Sequence, residues 1–190
     1  QPFRAIAHNG EINTFRGNKN WMKIHEQEMD SELFDSIENL KPVVQAGTSD
    51  SAALDNVFEL LNISGQPAPL AKLMLVPDAW SKKSKVLSKD HQQLFNFLNS
   101  TMEPWDGPAA IAGTDNEWVI AANDRNGLRP LRYTITKDNF LFAGSETGMI
   151  KLNEKKIVAK GRLGPGEIIG VRIEKGKIFT NEKIKNYLAK

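Results

Sequence analysis

The sequence predicts an α+β fold, because helical spacing of apolar residues dominates its first half and strand-like alternation dominates its second half. The clearest helix runs from Ser49 or Asp50 to Leu61. Its apolar residues recur three or four positions apart, as on one face of a helix: Ala53, Leu54, Val57, Leu60 and Leu61. After Trp105, short apolar runs separated by turn residues indicate antiparallel strands, which would pack against the helices.

The first half is expected to begin with a strand and to continue mainly as helices. Phe3 to His8 alternates imperfectly between apolar and other residues and is followed by Asn9-Gly10, which is a frequent turn dipeptide. A solvated connector is expected at residues 82–89. Helical spacing predicts the remaining helices: Asn20 to Met29, Ser31 to Leu40, Leu70 to Leu75, and Lys89 to Met102.

The second half is expected to form a meander of antiparallel hairpins and a terminal helix from Glu182 to Leu188. The segment from Lys160 to Glu167 is basic and rich in glycine, but it lacks the Lys-Ser/Thr ending of a phosphate-binding loop and precedes a strand. We therefore predict a connection there. Strands are expected at six places: Ala109 to Gly113, Trp118 to Ala122, Arg132 to Thr136, Asn139 to Ala143, Glu167 to Ile173, and Lys177 to Thr180.

The composition predicts a single soluble domain and excludes several kinds of site. A chain of 190 residues suits one domain, and its net charge of +2 comes from interspersed charges, which argues against a nucleic-acid surface. The absence of cysteine excludes disulfides, thiolate metal sites and a cysteine nucleophile within the chain. The apolar runs are far shorter than the roughly 20 residues of a membrane helix. No metal-ligand spacing is present, so no metal site is predicted.

Two short blocks contain the candidate site residues. In the first, His8 to Ile12, an Asn-Gly pair offers the Asn9 side-chain amide and the Gly10 backbone N–H as donors to a developing oxyanion. Taken alone, however, an Asn-Gly pair is much more typical of a hairpin turn. In the second, Gly47 to Ser51, Asp50 offers a carboxylate to a substrate ammonium, although an aspartate there can also cap a helix.

These blocks resemble the glutaminase domain of glutamate synthases, within the class II glutamine amidotransferases and the N-terminal-nucleophile (Ntn) hydrolases. The resemblance extends from Ala7 to Ile169 and includes MEPWDGPAAI, DRNGLRPLRY and KGRLGPGEII. It implies one amidotransferase domain over residues 1–190. It also implies an αββα sandwich of two antiparallel sheets between helical layers, incomplete at the N-terminus. The nucleophilic cysteine and the arginine that binds the substrate carboxylate are expected upstream of Gln1.

The resemblance also implies roles for individual residues. Asn9 and Gly10 would form the oxyanion hole, and Asp50 would bind the α-amino group of glutamine. His8 is given no catalytic role. The block from Arg125 to Leu131 is predicted to be structural, with Gly127 supplying a positive φ in its turn.

The implied partners are L-glutamine and the synthase domain of the same enzyme, without nucleic acid or membrane. FMN and an iron–sulfur cluster are expected in the synthase part, and no cofactor or metal is expected in this chain. The resemblance implies a cytoplasmic location, or a plastid one for a plant-type enzyme. Two alternatives remain: a non-catalytic relative that senses glutamine or mediates assembly, and an amidotransferase domain of another synthase, such as one that makes an aminosugar or asparagine.

Overall fold

The computed structural model describes residues 3–79 and 88–189. Within these residues the chain forms five α-helices and eight β-strands. The helices are α1 (Phe15–Glu28), α2 (Asp50–Ile63), α3 (Ala68–Leu75), α4 (Lys89–Thr101) and α5 (Asn181–Leu188). The strands are β1 (Ile6–Gly10), β2 (Ala109–Thr114), β3 (Trp118–Asn123), β4 (Arg132–Thr136), β5 (Leu141–Gly144), β6 (Ile157–Arg162), β7 (Ile168–Arg172) and β8 (Lys177–Phe179). Residues 82–87 of the predicted connector lie outside the described residues.

The described strands form two antiparallel sheets. The larger has the order β1-β2-β3-β7-β8, and the smaller has the order β5-β4-β6. The predicted β2–β3, β4–β5 and β7–β8 hairpins are present. The predicted continuous meander is wrong, because β3 pairs with β7 while β4 leaves for the other sheet.

The larger sheet has the helices on one face and the smaller sheet on the other. On β3, Trp118, Ile120 and Ala122 belong to the core formed with α2 and α3, whereas Ala121 packs with Leu131 toward the smaller sheet. This division follows from the alternation of side chains along a strand. The predicted α+β class, with two antiparallel sheets and packed helices, is confirmed.

Helix α2 lies where the sequence predicts and packs its apolar stripe into the core. Ser49 is its N-cap, since the Ser49 hydroxyl accepts a hydrogen bond from the Ala52 N–H at 3.2 Å. Ala53 and Val57 are fully buried. The helix thereby gains a fixed start, which places Asp50 in its first turn.

The helix predicted over Ser31 to Leu40 is wrong, because only a single 3-10 turn forms there, at Ile37–Leu40. Leu33, which lies within the predicted helix, is 67% exposed. The Ser31 hydroxyl accepts a hydrogen bond from the Leu33 N–H at 3.2 Å, which offers the backbone a local alternative to the helix. Apolar spacing without a core to cover does not stabilise a short helix.

Strand β6 is missing from the sequence prediction, which assigned Lys160 to Glu167 to a connection. Residues 160–162 of that segment instead belong to β6, which pairs with β4. Ile157, Ala159 and Gly161 alternate with more exposed neighbours, so the strand period is present but weak. A Cβ at Gly161 would overlap the Tyr133 ring, which explains a glycine inside the strand.

Candidate active site

The predicted oxyanion donors lie at the end of the edge strand β1. Asn9 and Gly10 are its last two residues and pair with Ala110 and Ala109 of β2. The alternative prediction of an Asn-Gly hairpin turn is therefore wrong. The partner strand of β1 comes from far along the chain, so the pair ends a strand without reversing it.

The backbone N–H of Gly10 points away from β2. In an antiparallel pair the residues alternate between those bonded to the partner strand and those directed outward. The Glu11 N–H donates to the Pro108 carbonyl at 3.0 Å, so the N–H of the preceding residue, Gly10, is directed outward. Because β1 is an edge strand, this N–H faces space beside the sheet.

Glycine at position 10 is required by a close approach of two backbones. A Cβ there would overlap the Pro108 carbonyl oxygen, and a Cβ at Gly107 would overlap the Glu11 carbonyl oxygen. The two glycines let the segments after β1 and before β2 lie against each other. Any side chain at Gly10 would displace the N–H that the sequence predicts as a donor.

Helix α2 places Asp50 beside the same segment. Asp50 is half-buried, and its Oδ2 accepts a hydrogen bond from the Ile12 N–H at 2.7 Å. Its Oδ1 lies 3.4 Å from the Ser51 hydroxyl, which donates to it weakly. Because Ser49 caps the helix, the structure favours a role for the Asp50 carboxylate other than capping.

His8 is tied to α2 through Ser51. The His8 Nδ1 and the Ser51 hydroxyl are 2.7 Å apart, while the buried Nε2 has no hydrogen-bond partner among the described residues. Burial lowers the pKa of the His8 imidazole, the charge of Asp50 opposes this shift, and the charge of Arg129 adds to it. His8 is therefore neutral at pH 7, which agrees with a packing role.

Arg129 contacts the side chain of Asn9 directly. Its Nη2 donates a hydrogen bond to the Asn9 Oδ1 at 2.9 Å across a separation of 120 residues. Sequence reasoning missed this contact and assigned the block around Arg129 to the scaffold. No local spacing could reveal it, because the two residues meet only through the tertiary fold.

The turn that presents Arg129 is built around the buried carboxylate of Asp124. This carboxylate is fully inaccessible and accepts hydrogen bonds from the N–H groups of Asn126, Leu128 and Arg129 at 3.0 to 3.1 Å. It also accepts one from the Ala109 N–H at 3.2 Å. Gly127 has a φ of 67°, which confirms the positive φ predicted there. The turn is thus fixed against the start of β2.

The fold gathers Asn9, Gly10 and Asp50 around one end of β1. The arrangement offers a side-chain amide, an outward backbone N–H and a carboxylate, which are suited to an oxyanion and an ammonium group. Across residues 3–79 and 88–189, no cluster of three or more His, Asp or Glu side chains is placed to hold a metal ion. Within the same ranges, no helix is long and apolar enough to span a membrane.

Known proteins resemble this chain closely in sequence. The model of the family described as class-II glutamine amidotransferases matches residues 1–190. The glutamate synthase (NADPH) large chain of Azospirillum brasilense is 52% identical over 190 residues, which are 100% of this chain and 12% of that protein. The glutamate synthase (NADH) of Saccharomyces cerevisiae is 45% identical over 192 residues, with 100% of this chain and 9% of that protein covered.

One solved structure to which the chain is similar is the glutamine phosphoribosylpyrophosphate amidotransferase of B. subtilis in complex with ADP and GMP. It is 18% identical, with 92% of this chain and 28% of that one covered, at a TM-score of 0.44. The chain spans only a small part of the two glutamate synthases, 12% of one and 9% of the other. The match over its whole length shows that this chain belongs to the class-II glutamine amidotransferases.

Proposed function

We propose that the chain is the glutaminase domain of a glutamate synthase and releases ammonia from L-glutamine for the amination of 2-oxoglutarate. The observation that carries the proposal is the meeting of the Asn9 amide, the outward Gly10 N–H and the Asp50 carboxylate beside one edge strand. The identity to glutamate synthases over the whole chain supports the choice of enzyme.

Asn9 and Gly10 act on the transition state in this proposal. Hydrolysis of the glutamine side-chain amide passes through a tetrahedral intermediate with a negative oxygen, which the Asn9 NH2 group and the Gly10 N–H stabilise. One such preorganised donor typically contributes about 3 to 4 kcal/mol. Asp50 holds the α-ammonium of glutamine through a charge-assisted hydrogen bond, which fixes the substrate along the strand end.

The remaining chemistry takes place outside these 190 residues. The chain contains no cysteine, so the nucleophile of the proposed reaction belongs to another segment of the enzyme. FMN and an iron–sulfur cluster belong to the synthase domain, which is the proposed partner of this one and receives the ammonia. We assign the enzyme to the cytoplasm, or to the plastid if it is of the plant type.

The test compares Asp50→Asn with Ser49→Ala in the complete enzyme. Asparagine keeps an acceptor for the Ile12 N–H but loses the charge, so kcat/KM for glutamine should fall by roughly one to two orders of magnitude. The melting temperature should barely change, because Ser49 caps the helix. Ser49→Ala should instead lower the stability by about 1 kcal/mol and leave the glutamine kinetics of the folded protein unchanged.

Glutamate formation from externally supplied ammonia provides the internal control. It should persist in Asp50→Asn, because the synthase reaction then bypasses the glutaminase site. Normal glutamine kinetics in Asp50→Asn would contradict the proposed ligand role. Glutamine binding by the complete protein without any release of ammonia would contradict the glutaminase function and favour a sensing role.

A further inference from the structure

We propose that Arg129 is a positioning residue that fixes the orientation of the Asn9 amide, so that its NH2 group faces the oxyanion. This inference rests on the proposed glutaminase function and assigns a role within the same site. The observation behind it is the hydrogen bond from the Arg129 Nη2 to the Asn9 Oδ1 at 2.9 Å.

The argument begins with the chemistry of the two groups. An asparagine side chain has an acceptor oxygen at one end of its amide and an NH2 donor at the other, and rotation about its last torsion exchanges them. A guanidinium has donors only. Arg129 can therefore bond only to the oxygen of Asn9, and this bond turns the NH2 group away from Arg129. Water, which donates and accepts, would not make that selection.

The charge of Arg129 strengthens the same arrangement. Among the described residues Arg129 forms no ion pair with a carboxylate, although the charge of Asp50 also acts on this end of β1. A cation bonded to the amide oxygen polarises the amide and makes its N–H groups better donors. Burial is the main cause of the lowered pKa of His8, and the charge of Arg129 adds to this lowering.

The backbone of Arg129 is held in place independently of Asn9. Its N–H donates to the buried Asp124 carboxylate at 3.1 Å, and the neighbouring Leu128 N–H donates to the same carboxylate. Gly127 packs its backbone against Pro165, where a Cβ would come within 3.0 Å. A guanidinium mounted on a fixed turn can orient a more exposed side chain, whereas one on a mobile loop could not.

The experiment uses the complete glutamate synthase and measures glutamine-dependent and ammonia-dependent glutamate formation. Arg129→Ala should lower the glutamine-dependent kcat by about tenfold, with KM changed less than about twofold, because the donor orientation matters most in the transition state. Ammonia-dependent turnover should not change. Arg129→Lys keeps a donor-only cation and should retain more activity than Arg129→Ala. Arg125→Ala, which removes an arginine of the same turn that has no hydrogen bond to a described residue, should behave as wild type.

A double-mutant comparison separates positioning from a structural role. If Arg129 acts through Asn9, then adding Arg129→Ala to Asn9→Ala should lower kcat by less than about twofold beyond Asn9→Ala alone. Fully additive losses would overturn the inference, and so would a rise in KM alone, which would make Arg129 a contact of the substrate. If Arg129→Ala does not fold, Arg129→Met, which keeps the length of the side chain and removes its donors, carries the same comparison. An unchanged kcat in Asn9→Ala would instead overturn the oxyanion role of Asn9, on which this inference rests, and would leave the glutaminase function to the ammonia-release test.

Discussion

The two ends of the Asn9 amide have different roles in the proposed site. Its oxygen accepts a hydrogen bond from Arg129, and its NH2 group, which has no partner among the described residues, is the proposed donor to the oxyanion. In the complete enzyme, Asn9→Ala removes the donor, so the glutamine-dependent kcat should fall by about 100- to 1,000-fold with little change in KM. Steady-state kinetics with glutamine and with ammonia check this expectation. Asn99→Ala, at an exposed site on α4, is the control.

A raised KM with normal kcat would make Asn9 a contact of the bound substrate only. No detectable change would leave it as a residue near the end of a strand with no part in turnover. Either result would contradict the assignment of Asn9 to the oxyanion hole.

Asn9, Gly10 and Asp50 are predicted as site residues because their blocks resemble those of the class II amidotransferases, since the chemistry of the residues alone leaves a turn and a helix cap open. Arg129 and Ser51 could not be predicted in the same way. Their contacts with Asn9 and His8 join residues far apart in the chain, and the chemistry of an arginine or a serine alone does not identify its partner. The structure is needed to show which of the possible partners is within reach.

Lys72 on α3 has a buried ammonium group, which makes the free energy of unfolding depend on pH. The side chain is almost fully buried, and its Nζ donates to the Gly166 carbonyl at 2.8 Å. Burial lowers the pKa of the ammonium from 10.5 to about 8, while the charge of Asp78 opposes the shift. Below pH 8 the folded chain therefore carries the full cost of a buried charge.

The sign of the pH dependence follows from proton binding. Between pH 8 and 10.5 the unfolded chain holds a proton on Lys72 that the folded chain has lost, so this group favours folding more as pH rises. The unfolding free energy of wild type relative to Lys72→Met should therefore rise by about 3 kcal/mol across this window. Denaturant titrations at pH 7 and pH 10 measure the change. A flat difference between wild type and Lys72→Met across this pH range would contradict the prediction.

At the scale of elements, α2 and β6 show what the sequence can and cannot predict. Helix α2 is predicted because its cap, its length and its apolar stripe agree with one another. Strand β6 is missed because glycine and basic residues obscure its alternation, and because its pairing with β4 joins segments separated by β5. The failed helix at Ser31 to Leu40 has apolar spacing but no core to cover.

At the scale of the molecule, the absence of cysteine predicts that the isolated chain has no glutaminase activity. Residues 1–190 as an isolated protein should not release ammonia from glutamine, because they contain no cysteine to act as the nucleophile. Groups that bind the substrate and stabilise the oxyanion do not replace it. A sensitive ammonia assay with the purified chain, against the complete enzyme as the positive control, tests this. Turnover on the order of 1 per second or faster, as for ordinary enzymes, would contradict the prediction.

The α+β class could be predicted from the change of hydrophobic period along the chain, but the assembly of the sheets could not. The larger sheet joins β1 to β2 and β3 to β7, and each pair brings together segments that are distant in sequence. Local sequence patterns determine whether a segment forms a strand. Which other strand it pairs with depends on how the helices and sheets pack together in the core.

Among the described strands β1 is an edge of the larger sheet, and the carboxylates of α2 limit strand addition there. An exposed edge strand offers outward N–H groups to which a strand of another molecule can add. On β1 the outward N–H of Ile6 is taken by Asp55 at 2.8 Å, and that of Ile12, just beyond the strand, is taken by Asp50. The segment between Ile6 and Ile12 is short, so it offers a strand of another molecule few free N–H groups to pair with. The carboxylate that we propose to hold the substrate thus also helps to keep one molecule from polymerising with the next.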